Sequence, residues 1–118
     1  MNKNTSNFIK IKLQVGNNFN IGPGKIALLE AIVTSGSISS AAKNIGMSYR
    51  KAWKLIKEIN DASYSKIIVT NTGGKGIGGT KISSEGKKFI KAFRNIENRV
   101  FEEAAKEKKY LYKVFLNK

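Results

Sequence analysis

The sequence predicts an α+β fold, mainly α, and three observations predict it. Residues 36–60 read as two helices joined by a tight turn. Short alternating or β-branched runs stand on both sides of that pair. From residue 85 onward a single apolar seam continues long enough for one extended helix. Together these describe a winged helix-turn-helix with an N-terminal strand or hairpin and a long C-terminal helix. At 118 residues the chain fits one domain with a modest core.

The elements follow in order. Residues 1–7 are polar and are expected to form a disordered tail. From Phe8 to Val15, Ile9, Ile11, Leu13 and Val15 alternate with Lys10, Lys12 and Gln14, the pattern of a half-buried strand. Gly16-Asn17-Asn18 is a turn, after which Phe19 and Ile21 suit a short return strand. Gly22-Pro23-Gly24 breaks the chain before a helix from Lys25 to Thr34. That helix sets Ile26, Leu29, Ile32 and Val33 on a core face, and Leu28 widens it. Ser37 is a good N-cap for a short helix from Ile38 to Ile45, whose Ala41 and Ala42 are small enough for another helix to cross closely. Gly46 has no Cβ to oppose the left-handed conformation that ends this helix. Met47 can pack inward, and Ser48 caps a second helix from Tyr49 to about Asn60.

A helix, a Gly-containing turn and a second helix make the pattern that enters the DNA major groove. The faces of the second helix agree. Ala52, Trp53, Ile56 and Ile59 form one apolar stripe, which assigns Trp53 to the core rather than to base stacking. Arg50, Lys54 and Lys57 form a separate cationic face, widened by Lys51. A cationic helix face is in general only a solvated one; the preceding Ser-Ala-Ala-x-x-x-Gly-Met-Ser framework turns the reading toward DNA. Ser48, Tyr49, Arg50, Lys51 and Lys54 are the candidates for reading bases. Ser37, Lys43, Lys57, Lys75 and Lys81 are the candidates for phosphate.

Asp61 to Ser65 is a polar connector, and Lys66 to Asn71 contains the β-branched run Ile67-Ile68-Val69 of a strand. Thr72-Gly-Gly-Lys-Gly-Ile-Gly-Gly is a flexible turn, and Thr80-Lys81-Ile82 returns as a second strand. Gly74, Gly76 and Gly79 match G-x-G-x-x-G, but a strand-like segment follows where a dinucleotide fingerprint must open a helix. The turn reads instead as a wing tip whose backbone and Lys75 approach a phosphate; the plainer alternative is a mobile loop without contacts. Ser83-Ser84-Glu85-Gly86 introduces a helix from Glu85 past Lys109, about 40 Å or more in length. Its seam runs through Phe89, Phe93, Ile96 and Val100 and recurs at Ala104, Leu111 and Phe115. Such a helix outreaches a small domain, so Phe93, Ile96, Val100, Ala104, Leu111 and Phe115 are candidates for pairing with a second copy. The alternative is that its end frays or folds back. Glu102, Glu103 and Glu107 argue against an anionic membrane surface as its partner. The expected organisation is thus a tail over 1–7, a DNA-binding domain over 8–84 and a dimerisation helix over 85–118.

The segments Gly36-Ser-Ile-Ser-Ser-Ala-Ala, Met47-Ser-Tyr-Arg-Lys-Ala-Trp and Thr72-Gly-Gly-Lys-Gly-Ile-Gly-Gly resemble the N-terminal DNA-binding domain of the ModE molybdate-responsive regulators. The resemblance covers roughly Gly22 to Ile96, and Ser-Tyr-Arg-Lys-Ala-Trp is its specific part. It implies a winged helix-turn-helix akin to the LysR-type domain, and double-stranded DNA as partner. Where related families have Leu-Thr-Pro-x-Gly, this chain has Ile82-Ser-Ser-Glu-Gly, without the Pro but with the hydroxyl cap and the Gly. ModE-like regulators carry C-terminal molybdate-binding domains; the chain ends at Lys118 without them, so no molybdate binding is expected.

Composition narrows the remaining classes. Twenty-two Lys and Arg against eight Asp and Glu give a net charge of +14, which points to a polyanionic partner. With no Cys and no His, disulfides, Cys/His metal sites and His- or Cys-dependent catalysis are excluded. No apolar run reaches the length of a membrane span, and no signal-peptide region is evident. The expectation is a cytoplasmic, nucleoid-associated bacterial regulator, homodimeric, without cofactor, metal or chemical step. The competing readings are a basic architectural or RNA-binding protein with little sequence preference, and a helix-mediated protein interaction module; a small nucleic-acid-processing enzyme is the weakest, lacking an evident paired-carboxylate site.

Overall fold

The computed structural model describes residues 9–71 and 79–117. Strands β1 (Leu13–Val15) and β2 (Phe19–Ile21) pair antiparallel, with Leu13 opposite Ile21 and Val15 opposite Phe19. The first strand is shorter than the alternation from Phe8 suggests. Its partner ends at Ile21, where the chain turns into a helix, so residues 9–12 have no backbone to pair with; Phe8 and the tail lie outside the described residues. Val15, beside the hairpin turn, is exposed rather than on a buried side.

Helix α1 (Pro23–Ser35) begins two residues ahead of the expected Lys25, because Pro is tolerated in a first turn where its missing N–H has no helical partner. Ile26, Leu28, Leu29 and Ile32 are buried. Val33 is not: Leu28 completes the face instead, and Val33 stands at its margin near the helix end. The helix is central, in contact with β2 and with three of the elements described next.

Helices α2 (Ile38–Asn44) and α3 (Tyr49–Ala62) form the helix-turn-helix. The Ser37 Oγ accepts from Ser40 N–H and the Ser48 Oγ accepts from Lys51 N–H, both at 3.0 Å, so each hydroxyl satisfies a donor the helix cannot. Gly46 takes φ +70°, and Met47 N–H closes the turn on the Ala42 carbonyl at 2.8 Å. Strands β3 (Ile68–Asn71) and β4 (Gly79–Ile82) pair antiparallel from Ile68–Ile82 to Asn71–Gly79. Gly79 thus begins a strand, in keeping with the rejection of a dinucleotide loop. The wing tip, Lys75 included, lies outside the described residues. Thr80 N–H bonds the Gly36 carbonyl at 3.0 Å and anchors the wing to the end of α1.

Helix α4 (Ser84–Leu116) has 33 residues, about 50 Å at 1.5 Å per residue. Ser83 caps it by accepting from Gly86 N–H at 3.0 Å, and the same hydroxyl donates to the Lys66 carbonyl at 2.8 Å. Its first turns belong to the body. Gly86 is buried against Ile82 and Ile67, and Phe93 is only 2% exposed among the core residues. Phe93 is therefore a core residue rather than part of a surface for a second copy, because the apolar face of α4 enters the body before leaving it. Arg94 grips α1: Nε and Nη2 donate to the two Glu30 carboxylate oxygens at 2.9 and 2.8 Å, and Nη1 donates to Glu97. The Glu30 bonds lead in raising the Arg94 pKa above its ordinary value. Farther along, Ile96, Leu111 and Phe115 are exposed while Val100 and Ala104 are half-buried. The protruding arm gives the molecule a long dimension of 65 Å against 28 and 24 Å.

The core is built mostly from Ile, with Leu28, Leu29, Ala41, Ala42, Ala52 and Phe93. Trp53 is not in it and stands 38% exposed. One residue beyond Ala52 is about 100° around a helix. Small Ala52 takes the close crossing, Ile56 and Ile59 continue inward, and the indole is left on the shoulder. No helix among the described residues is long and apolar enough to cross a membrane.

Candidate nucleic-acid interface

The site is the outer side of α3 with the surfaces that flank it. Because Ala52, Ile56 and Ile59 point inward, a period of about 3.6 residues per turn sends Arg50, Lys54 and Lys57 outward. All three are exposed, as are Tyr49 and Lys51. Lys57 is engaged with Asp61 at 3.1 Å, an i,i+4 pair that partly neutralises it. Among the described residues no ion pair engages Arg50, Lys51, Lys54, Lys43 or Lys81. Ser48 spends an acceptor on its cap and keeps its O–H for donation. Tyr49 meets Trp53 edge-on, ring centroids 6.3 Å apart.

The phosphate candidates are spread over neighbouring elements. Lys43 is exposed in the last turn of α2, and Lys81 is exposed on β4 opposite Val69. Ser37 is half-buried, with its Oγ committed to the α2 cap. The wing strands share hollows with both helices; Ser37 lines one of these hollows, whereas Lys43 and Lys81 line neither.

The acids follow a pattern that the total charge conceals. None lies between residues 31 and 57 or between 62 and 84. Glu30 sits on α1, Glu58 and Asp61 at the end of α3, and the rest on α4. The turn, the first half of α3 and the wing strands therefore carry cations with no carboxylate among them, which concentrates positive potential where α3 begins.

Two residues of the site were not legible as such in the sequence. Asn60 joins α3 to the wing: its Oδ1 accepts from Ile67 and Ile68 N–H at 2.9 and 3.0 Å, and its Nδ2 donates to the Ile68 carbonyl at 2.9 Å. Trp53 borders the wing-side hollows. On the opposite flank Lys25 donates to the Asn20 carbonyl at 2.6 Å and lies 3.9 Å from Glu58, bracing the first hairpin on α3. No group of three side chains suited to a metal ion occurs among the described residues.

No family model matches the chain. The DNA-binding transcriptional dual regulator ModE of Escherichia coli K12 is 42% identical over 71 residues, 60% of this chain. The transcriptional regulator ModE of Haemophilus influenzae is 36% identical over 95 residues, 80% of this chain. The chain is similar to the ModE regulators. It is also 38% identical over 77 residues to the molybdenum-pterin-binding protein MopB of Rhodobacter capsulatus, 65% of this chain. It spans 27%, 36% and 28% of the lengths of these three relatives. The ModE resemblance carried by the helix-turn-helix and wing segments is thus borne out, and none of the three names denotes an enzyme.

Proposed function

We propose that this chain is a sequence-specific double-stranded DNA-binding transcriptional regulator. Helix α3 enters the major groove, with Ser48, Tyr49, Arg50, Lys51 and Lys54 toward the bases, and the Gly-rich wing lies near the backbone. The observation that carries this reading is the exposed cationic face of α3 inside a helix-turn-helix, of whose cations Lys57 alone is ion-paired among the described residues. The name of the Escherichia coli relative supports it. Residues 8–84 act as the DNA-binding unit; residues 85–118 supply dimerisation through Ile96, Val100, Ala104, Leu111 and Phe115, after first turns that also serve the core. Its work is binding, with no chemical step and no molybdate site of its own, in the bacterial cytoplasm at the nucleoid.

Selection of bound sequences from random duplex DNA, followed by anisotropy titrations, tests the reading. About six phosphate contacts give a log–log salt slope near −5. Arg50→Ala should weaken the selected site by about 1–3 kcal/mol and relax one position, the loss of a bidentate guanine contact. Equal affinity for every duplex, or preference for single-stranded RNA, would overturn the proposal in favour of an architectural or RNA-binding role.

A further inference from the structure

Trp53 is the one tryptophan in the chain, and it stands exposed on the shoulder of α3 that faces the wing. With about 100° between successive residues, Tyr49, Trp53 and Asn60 share that shoulder, and the Asn60 bonds to β3 hold it there. On one side of the indole lies a hollow of 290 Å³ walled by Ser37, Ser39, Tyr49, Thr70, Asn71 and Thr80, with no carboxylate in its lining. On the other lies a trough of 670 Å³ whose walls include Lys54, Lys57 and Lys66. Its lone acid, Asp61, is the one paired with Lys57.

We propose that this shoulder seats the DNA strand separating the two grooves. Trp53 packs its indole on a deoxyribose and donates Nε1–H to a phosphate oxygen. The inference rests on the DNA-binding reading above and adds a positioning contact to it. If α3 occupies the major groove and β3–β4 follows the backbone beside it, the intervening sugar-phosphate strand crosses the gap between them, and Trp53 stands in that gap. The chemistry of the gap fits such a strand. Hydroxyl and amide groups line both hollows and ammonium groups line the larger one, the groups that hold phosphate and sugar rather than read base edges. An exposed indole offers a large apolar surface with a donor at its rim, and it gains most when a partner desolvates it.

The single tryptophan makes the unmodified protein its own probe. Acrylamide quenching of its fluorescence is measured free and with saturating selected duplex, while anisotropy of the labelled duplex reports binding independently. The quenching constant should fall at least about twofold on binding. Trp53→Ala should weaken matched and unrelated duplexes alike by about tenfold and leave the salt slope unchanged, because no phosphate-neutralising charge is removed. Trp53→Phe, which keeps a ring without the donor, should fall between. A bound duplex with unaltered quenching overturns the inference while leaving the DNA reading intact, as does a folded Trp53→Ala variant of wild-type affinity. Loss confined to one sequence overturns it too, by making Trp53 a base reader. Absence of any duplex binding by the wild type overturns the DNA reading itself. Should Trp53→Ala fail to fold, the quenching of the wild type decides.

Discussion

Gly86→Ala sets two physical effects of opposite sign against each other. Gly86 lies in the first turn of α4, where replacing Gly by Ala should favour the helix by at most about 1 kcal/mol. The packing opposes it. A Cβ built there would lie 2.6 Å from Ile82 Cγ2, 2.9 Å from the Ile67 carbonyl oxygen and 3.0 Å from Ile67 Cγ2. The carbonyl cannot simply rotate away, because it accepts Ser83 N–H at 2.9 Å. Backing α4 off would strain that bond and the Ser83 Oγ bond to Lys66 at 2.8 Å, worth about 1 kcal/mol each. Overpacking of this kind costs about 1–3 kcal/mol; partial weakening of the two bonds, about 1 kcal/mol in all, offsets the helix gain, so the net loss should be about 1–3 kcal/mol. For a chain of this size that lowers the thermal midpoint by about 4–12 °C. Gly24→Ala is the matched control: Gly24 lies in α1, and its added Cβ meets nothing within 4 Å. It should stabilise by up to about 1 kcal/mol. Calorimetry and urea unfolding of both variants give the two signs. If Gly86→Ala stabilises as Gly24→Ala does, the close seating of α4 on the base of the wing is wrong.

Arg94→Gln removes the paired bonds to Glu30; with the Arg94 side chain 34% and the Glu30 side chain 40% exposed, solvent screens the pair, and the loss should be about 1–2 kcal/mol by thermal unfolding. Because the Arg94 pKa is raised, its contribution is fully present below the ordinary arginine value and is lost only as pH rises through the raised one, so the gap from wild type should stay flat between about pH 6 and 9. Asn60→Ala leaves the Ile67 and Ile68 N–H groups without their acceptor and should cost about 2–3 kcal/mol in urea unfolding, with a looser wing measurable as faster amide exchange in β3. Val100→Asp places a carboxylate in the proposed pairing seam and should weaken self-association at least about tenfold by equilibrium sedimentation; a dimer of unchanged strength, or a wild type monomeric at the outset, refutes the seam.

What the sequence revealed was local in origin. The caps at Ser37 and Ser48, the left-handed Gly46 and the cationic face of α3 depend on neighbours within four residues, and each stands where the pattern put it. The Lys57–Asp61 pair has the same local character, and its i,i+4 spacing could have been read as partial neutralisation. The misreadings arise where periodicity is ambiguous about what covers a face. Phe93 and Phe115 lie on one seam, yet the first is 2% and the second 82% exposed, because the body ends between them. Trp53 follows Ala52 on an apolar run, but which of two adjacent positions is the crossing point depends on the size of the partner helix's residues. Arg94–Glu30 and Asn60–Ile68 join residues 64 and 8 apart, and no local rule anticipates either.

These distant joints bear on how the DNA reading would work. Asn60 fastens β3 to α3 from one side, and Ser83 fastens the start of β3 to α4 from the other through the Lys66 and Ile67 carbonyls. Arg94 then fixes α4 to α1, which packs on α2. Helix α3, the base of the wing and the origin of the arm are thereby held by bonds between their backbones and short side chains, with little freedom to turn separately. In the proposed dimer, pairing along the arm would then set both the distance and the rotation between two α3 helices. Half-sites one helical turn of DNA apart, about 34–36 Å, present the same groove to both copies. A rigid joint makes affinity sensitive to that phase, whereas a loose hinge at Ser83 would let the same two heads accept many spacings. The arm's attachment would therefore contribute to specificity without touching a base.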